Sequence, residues 1–100
     1  MRILSVLTPK SSATRSDFER LSLSEEKTLW QFYSGHKVRE MYFQPEPIKI
    51  LLVWEEENFS KVNELLATFP MVQEDLFSIE LIHLGPWMPL QALFREEALQ

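Results

Sequence analysis

The eight residues "IKILLVWE" at positions 48–55 constrain the fold more than any other stretch of the chain. Successive side chains of a strand point to opposite faces of a sheet. In this stretch Ile50, Leu52 and Trp54 share one face, and Leu51 and Val53 lie on the other. A strand that is apolar on both faces is typical of a sheet that is covered on both sides. Any fold proposed for this chain must therefore bury two faces of one sheet.

The order of the remaining patterns predicts an α+β protein. Short apolar or alternating runs predict strands at residues 3–8, 37–44, 48–55 and 76–84. A first helix is predicted to begin at a capping box of Ser16 and Glu19 and to end at Gly35. A second is predicted from the N-cap Asn58 to Pro70. The order β-α-β-β-α-β predicts a ferredoxin-like fold with a four-stranded antiparallel sheet and two helices on one face.

Two helices cover only one face of such a sheet, so the other face needs a partner. The same need arises after the last predicted strand, where Trp87, Met88, Leu90, Leu93 and Phe94 follow in a short space. We expect a single domain over residues 1–100, with 85–100 as a C-terminal tail. The prolines in this tail interrupt strand hydrogen bonding, and its second half favours a short helix. The economical partner is a second copy, so we predict a homodimer or higher homo-oligomer, with the tail packed on the partner.

Composition excludes several function classes. The net charge is -5, and the ten Lys and Arg residues are scattered, so phosphate binding and a nucleic-acid partner are not expected. No apolar run approaches the ~20 residues of a membrane-spanning helix, and the first ten residues do not resemble a signal peptide, so we expect a cytoplasmic protein and no membrane partner. The absence of cysteine removes thiol chemistry, and two glycines do not make a phosphate-binding loop. No cofactor is expected.

About two thirds of the chain, from residue 24 to 86, resembles muconolactone isomerase and its relatives in the dimeric α+β-barrel superfamily. The segments that carry the resemblance are "EEKTLWQFYSGHKVREMYF", the strand-to-helix turn at 53–58, and "LLATFPMVQEDLFSIELIHLGP". The resemblance implies a ferredoxin-like subunit that pairs sheet to sheet, with a ligand cleft between sheet and helices or in the shared barrel. Such relatives include cofactor-free isomerases, small monooxygenases and proteins with no assigned activity. The N-terminal loop and the tail depart from the isomerase pattern, so no catalytic residue is carried over.

The second predicted strand has one mixed face. Strand alternation places Met41 and Phe43 on one side and Val38, Glu40 and Tyr42 on the other. A mixed face of this kind combines apolar surface with a few polar groups, as ligand sites do. We therefore look for site residues on such faces.

Five residues are candidates for ligand binding. Glu40 and Glu80 are each a general acid or base if burial raises the pKa, and otherwise solvated or ion-paired carboxylates. Tyr42 and Trp54 either line an apolar pocket or form part of an interface core. His83 either titrates near neutral pH or has a structural hydrogen-bonding role. The two histidines of the chain are not at metal-ligand spacing, so no metal site is predicted.

Two functions remain open. The first is a dimeric module that binds a small, partly apolar molecule in a cleft of the sheet without chemistry. The alternative is a cofactor-free isomerase or a small monooxygenase-like enzyme that acts on a cyclic or aromatic compound. A pocket holding two or more polar groups within mutual reach favours the enzyme.

Overall fold

The computed structural model describes residues 1–88 and 93–94. The elements in chain order are β1 (Arg2–Pro9), α1 (Arg15–Ser34), β2 (Val38–Pro45), β3 (Ile48–Glu55), α2 (Phe59–Leu66), α3 (Pro70–Gln73) and β4 (Phe77–Leu84). The four strands form one sheet in the order β2-β3-β1-β4, and every neighbouring pair is antiparallel. This confirms the predicted α+β, ferredoxin-like fold. The short helix α3 was not predicted, because four residues are too few for a helical period to be recognised.

Helix α1 begins two residues earlier than predicted. Thr14 is the N-cap, and its hydroxyl accepts a hydrogen bond from the backbone N–H of Asp17 at 3.1 Å. The Asp17 carboxylate in turn accepts from the backbone N–H of Thr14 at 3.0 Å. The predicted box of Ser16 and Glu19 was therefore wrong, because an aspartate takes the reciprocal role that was sought in a glutamate.

Helix α2 begins where the sequence indicates, with the side chain of Asn58 accepting from the backbone N–H of Lys61 at 2.8 Å. It ends at Leu66, before the predicted end at Pro70. Pro70 instead opens α3, since its fixed φ and missing N–H are suited to the first turn of a helix. This second helical turn places the backbone of Met71 against α1, where it becomes part of the site described below.

The core lies between one face of the sheet and all three helices. Its buried members from the sheet are Ile3, Leu7, Val38, Leu52, Trp54 and Phe77, and those from the helical side are Val62, Leu66, Phe69, Met71 and Leu76. The apolar stripe of α1 packs against this cluster through Phe18, Leu21, Leu29 and Phe32. The helices thus cover a single face, as the sequence predicts.

One residue was assigned to the wrong face. Val38 is buried in the core and pairs with Trp54, although alternation along the strand puts it beside Glu40. A register shift between Val38 and Glu40 explains the difference, because the extra residue of a bulge resets the alternation of the residues that precede it. Glu40 and Tyr42 keep the predicted face.

The opposite side of the sheet is not covered by the helices of this chain, and we call it the open face. It is formed mainly by Leu4, Val6, Leu51, Val53 and Ile82, which lie next to one another in the strand register. Most of these side chains are only partly buried, and Ile82 is exposed. The open face is therefore an apolar surface on the side of the sheet where the sequence predicts contact with a partner.

Strand β4 ends at Leu84, and residues 85–87 do not extend it, as expected from the prolines. Trp87 and Phe94 are each 72% exposed in this single chain. The helix predicted for the second half of the tail falls largely on residues 89–92 and 95–100, which lie outside the described residues. Within residues 1–88 and 93–94, the helices are too short or too polar to cross a membrane.

Candidate functional site

A cleft opens between α1 and the helix-facing side of β2 and β3. It consists of two adjoining cavities of about 380 and 580 Å³. Both cavities are bordered by Glu25 and Glu26 of α1, Phe43 of β2 and Ile50 of β3. The remaining lining is mostly apolar and includes Leu7, Phe18, Leu29, Met41, Ile48, Leu52, Phe69, Met71 and Phe77. Size and composition are those of sites that enclose small, largely apolar ligands.

Glu25 is the polar group at the centre of this cleft. It is 7% exposed although its side chain carries an ionisable group. One carboxylate oxygen, Oε1, accepts a hydrogen bond from the backbone N–H of Met71 at 2.9 Å. Burial raises the pKa of Glu25, the hydrogen bond from Met71 opposes the change, and the negative charge of Glu26 adds to it. A carboxylate tuned in this way can hold a proton or accept one from a ligand.

The rim of the larger cavity carries opposite charges that pair with each other. Arg15 Nε lies 2.9 Å from Glu19 Oε1, one helical turn further along α1. The Arg15 side chain is 93% exposed, so its charge lies at the solvent edge rather than inside the cleft. The other carboxylates that border the cleft are Glu25, which is buried, and Glu26, which is exposed.

Trp54 is the sequence candidate that lies deepest in the molecule. Its side chain is fully buried, its Nε1–H donates to Ser5 Oγ at 2.8 Å, and its ring packs against Phe32 and Phe69. It borders neither of the two cavities. The geometry is that of a core residue with a satisfied indole N–H.

Glu40 and Tyr42 are brought together, on the open face. The Tyr42 hydroxyl donates to Glu40 Oε1 at 2.7 Å, which raises the pKa of Tyr42 because the nearby carboxylate disfavours a phenolate. Arg2 lies 3.9 Å from the other oxygen of Glu40 and links it to Glu55 on β3. These groups form a charged border at one side of the apolar open face.

Glu80 and His83 lie apart from this pair. Glu80 is exposed on the open face opposite Val6, separated from Tyr42 by the two central strands. His83 is exposed on β4 opposite Ile3, on the side of the sheet that faces the helices. In the single chain the five candidates therefore do not form one pocket.

Sequence reasoning missed most of the cleft residues, and Glu25 above all, although it named Tyr42, which borders the smaller cavity. The run of Glu25, Glu26 and Lys27 has the composition of a solvated helix face. The signal that distinguishes Glu25 is its position four residues before Leu29 and seven after Phe18, which places it on the apolar stripe of α1. The described residues contain no group of three side chains suited to hold a metal ion.

No protein-family model matches the chain, and no curated protein matches its sequence. Among solved structures, the fold is similar to that of a 5-chloro-2-hydroxyhydroquinone dehydrochlorinase from Burkholderia phenoliruptrix AC1100 in complex with 2,5-dihydroxybenzoquinone. The TM-score is 0.71 at 11% sequence identity, and the match covers 89% of this chain and 98% of the other. At this identity the similarity establishes a shared fold.

Proposed function

We propose that this protein binds a small, partly apolar molecule in the cleft between α1 and the sheet. The observation that carries the proposal is the combination of an apolar lining with one buried carboxylate, Glu25, at its centre. Burying a charged group in an apolar lining costs free energy, and although one oxygen of Glu25 accepts a hydrogen bond from Met71, the residue still borders both cavities. The complex of the structurally similar dehydrochlorinase with a small quinone supports a ligand of this size.

Filling the cleft tests this proposal. The neutral fluorescent probe N-phenyl-naphthylamine should bind the wild-type protein saturably. Ile50→Trp adds bulk where the two cavities meet, so we expect the affinity for the probe to fall at least tenfold. Leu23→Trp, on the exposed side of α1, is the matched control and should bind as the wild type does. Equal probe binding by all three proteins, with circular dichroism showing them folded, contradicts a ligand site in this cleft.

The alternative function is a cofactor-free isomerase, as in the muconolactone isomerase-like family, or a small monooxygenase-like enzyme. The raised pKa of Glu25 favours it, because a carboxyl group whose pKa lies above its ordinary value is better suited to general acid–base catalysis than an ordinary one. Proton exchange between cyclic ketones or lactones and heavy water, followed by NMR, is the direct assay. A cofactor-free isomerase requires proton exchange that Glu25→Gln abolishes. A binding module shows no exchange above the uncatalysed rate.

The assembly that we propose is a homodimer in which two open faces pack together. The apolar residues of the open face and the exposed tail support it, since contiguous apolar patches on soluble proteins mark interaction sites. In such a pair Glu40, Tyr42 and Glu80 line the shared barrel and are candidates for a second ligand contact, which Glu80→Gln tests in binding assays. Contacts of Trp54 or His83 with a ligand, and a cytoplasmic location, remain predictions.

A further inference from the structure

We infer that the cleft selects a cationic ligand, an aromatic or aliphatic body that bears a protonated amine, and that the ammonium group binds beside Glu25 and Glu26. The inference rests on the proposed function, because it specifies the chemistry of a ligand for the same cleft. It uses the charges that border the two cavities, which the overall fold does not determine.

The charges of the side chains that border the cleft favour a cationic ligand. Among the described residues, five ionisable side chains border the cleft, namely the carboxylates Glu19, Glu25 and Glu26, the guanidinium of Arg15 and the phenol of Tyr42. Arg15 is paired with Glu19 at 2.9 Å and extends into solvent. An anionic ligand would therefore enter an apolar cleft close to two carboxylates, with no unpaired cation among the described residues that border it, and a buried charge without a partner is costly.

The hydrogen bonding and the charge of Glu25 also favour a cationic ligand. Its Oε1 atom accepts from Met71, while its second oxygen is either exposed or hydrogen-bonded, since the described residues contain no buried side-chain oxygen without a partner. No described residue donates a further hydrogen bond to Glu25, which borders both cavities. Desolvation and the neighbouring Glu26 both disfavour the charged form, and both effects are offset by a bound cation.

The aromatic residues that line the cleft also favour a cationic ligand. Phe43 borders both cavities, Phe69 borders one, and the rings of Phe18 and Phe77 border the other with centroids 5.6 Å apart. Aromatic faces attract ammonium groups and also pack against an apolar body. A carboxylate pair beside several rings is an arrangement that recognises an amine on a hydrophobic frame.

The test compares three probes that share one apolar body, namely naphthylmethylamine, naphthylmethanol and naphthoic acid, by isothermal titration calorimetry at neutral pH. We expect the amine to bind at least tenfold more tightly than the acid, with the alcohol between them, because charge-assisted hydrogen bonds are about twice as strong as neutral ones. Glu25→Gln should reduce the preference for the amine over the alcohol several-fold. Glu57→Gln, which removes the same charge from an exposed position before α2, is the matched control and should keep the preference.

The outcomes separate this inference from the proposed function. If all three probes bind and Ile50→Trp abolishes their binding, but the acid equals or exceeds the amine, the cleft is a ligand site and the inference about charge is wrong. If the amine preference survives in Glu25→Gln and Glu26→Gln, the cation binds elsewhere and the inference is likewise overturned. If none of the probes binds, the proposed function itself is contradicted.

Discussion

At the scale of single residues, the buried hydrogen bond between Trp54 and Ser5 shows how a polar pair is accommodated in the core. The indole N–H donates to the Ser5 hydroxyl, which itself lies 3.4 Å from the carbonyl oxygen of Leu52. Both side chains are fully buried. Replacing Trp54 leaves the buried Ser5 hydroxyl without its hydrogen-bond donor and removes aromatic contacts with the core.

Trp54→Phe should therefore lower the free energy of unfolding by about 1–3 kcal/mol. Trp30→Phe is the matched control, because Trp30 is 61% exposed on α1, and exposed substitutions of this kind change stability by less than about 0.5 kcal/mol. Urea denaturation followed by circular dichroism measures both. Equal stability of the two variants would show that the buried indole hydrogen bond contributes little.

The pKa of Glu25 gives a second prediction at this scale. In the folded state the pKa is raised above its ordinary value of 4.5. As the pH rises from about 4.5, the unfolded chain loses this proton before the folded chain does, so the free energy of unfolding falls through that window. Glu25→Gln removes this dependence, so the variant should gain stability relative to the wild type as the pH rises from 4 to 8.

The comparison must be made as a difference between variant and wild type. The pKa values of Asp17, Glu55 and Glu74 are lowered, by hydrogen bonds with Thr14, the N-terminal amine and Arg20 respectively. These groups have the opposite effect, since their contribution to stability is lost as the pH falls. They are common to both proteins and cancel in the difference. A difference that does not change with pH would show that Glu25 ionises as freely as it does in the unfolded chain.

Residues of this kind mark the limit of what the sequence predicts. Trp54 was expected to have apolar surroundings, but the pattern of the sequence cannot distinguish the wall of a pocket from a packed core. Glu25 owes its burial to the short helix α3, whose Met71 N–H bonds to it across 46 positions of the chain. Long-range partners of this kind are fixed by packing and leave no local signal.

At the scale of elements, helix α1 is followed by a residue that has a left-handed backbone conformation but is not glycine. Gly35 has an ordinary φ of -85°, whereas His36 has a φ of 65°. The backbone N–H groups of His36 and Lys37 donate to the carbonyl oxygens of Tyr33 and Phe32, the paired hydrogen bonds of a Schellman motif. The sequence predicts the helix end correctly, but the position that needs conformational freedom is one residue later.

His36→Gly should therefore stabilise the protein by about 0.5–1 kcal/mol, because glycine adopts a left-handed conformation without the steric cost of a Cβ atom. Ser34→Gly, two residues earlier and within α1, is the opposed control and should destabilise by up to about 1 kcal/mol. Thermal unfolding of the two variants beside the wild type decides the matter. A loss of stability in His36→Gly would mean that the histidine side chain makes a contribution larger than the backbone cost.

The bulge in β2 sets a similar limit for strands. A period of two predicts correctly that Met41 and Phe43 share one face of the strand and that Tyr42 lies on the other. It fails for Val38, since one inserted residue reverses the faces before it. The alternation of a strand is reliable within a regular ladder, and it carries no information about where the ladder is interrupted.

At the scale of the whole molecule, the fold follows from the order of its elements and from two apolar stripes, both of which are visible in the sequence. Antiparallel neighbours in the order β2-β3-β1-β4 are the arrangement that the β-α-β-β-α-β sequence of elements predicts. The cleft is different, because it depends on a gap between α1 and β2 that only the packed molecule defines. Fold was thus predictable from local patterns, whereas the candidate site was not.

The remaining question at this scale is what covers the open face. Ile82 lies on this face in the edge strand β4, beside Leu4 in the strand register, and is 39% exposed in the single chain. Fully burying a large apolar side chain is worth about 1.5–3 kcal/mol, so a pair of such faces together with the tails supplies a substantial driving force for association. A permanent interface of this kind buries more than about 2,000 Å² in total.

Ile82→Lys places a charge on the open face, and in a homodimer each substitution occurs twice. We expect sedimentation equilibrium at micromolar concentration to show a wild-type dimer and a largely monomeric Ile82→Lys variant, because an unpaired buried charge costs several kcal/mol. Leu23→Lys, on the exposed side of α1, adds the same charge away from the open face and should remain dimeric. A dimeric Ile82→Lys variant of unchanged affinity would move the interface to another surface. A wild-type protein that sediments as a folded monomer would mean that the apolar open face and the exposed tail meet some partner other than a second copy.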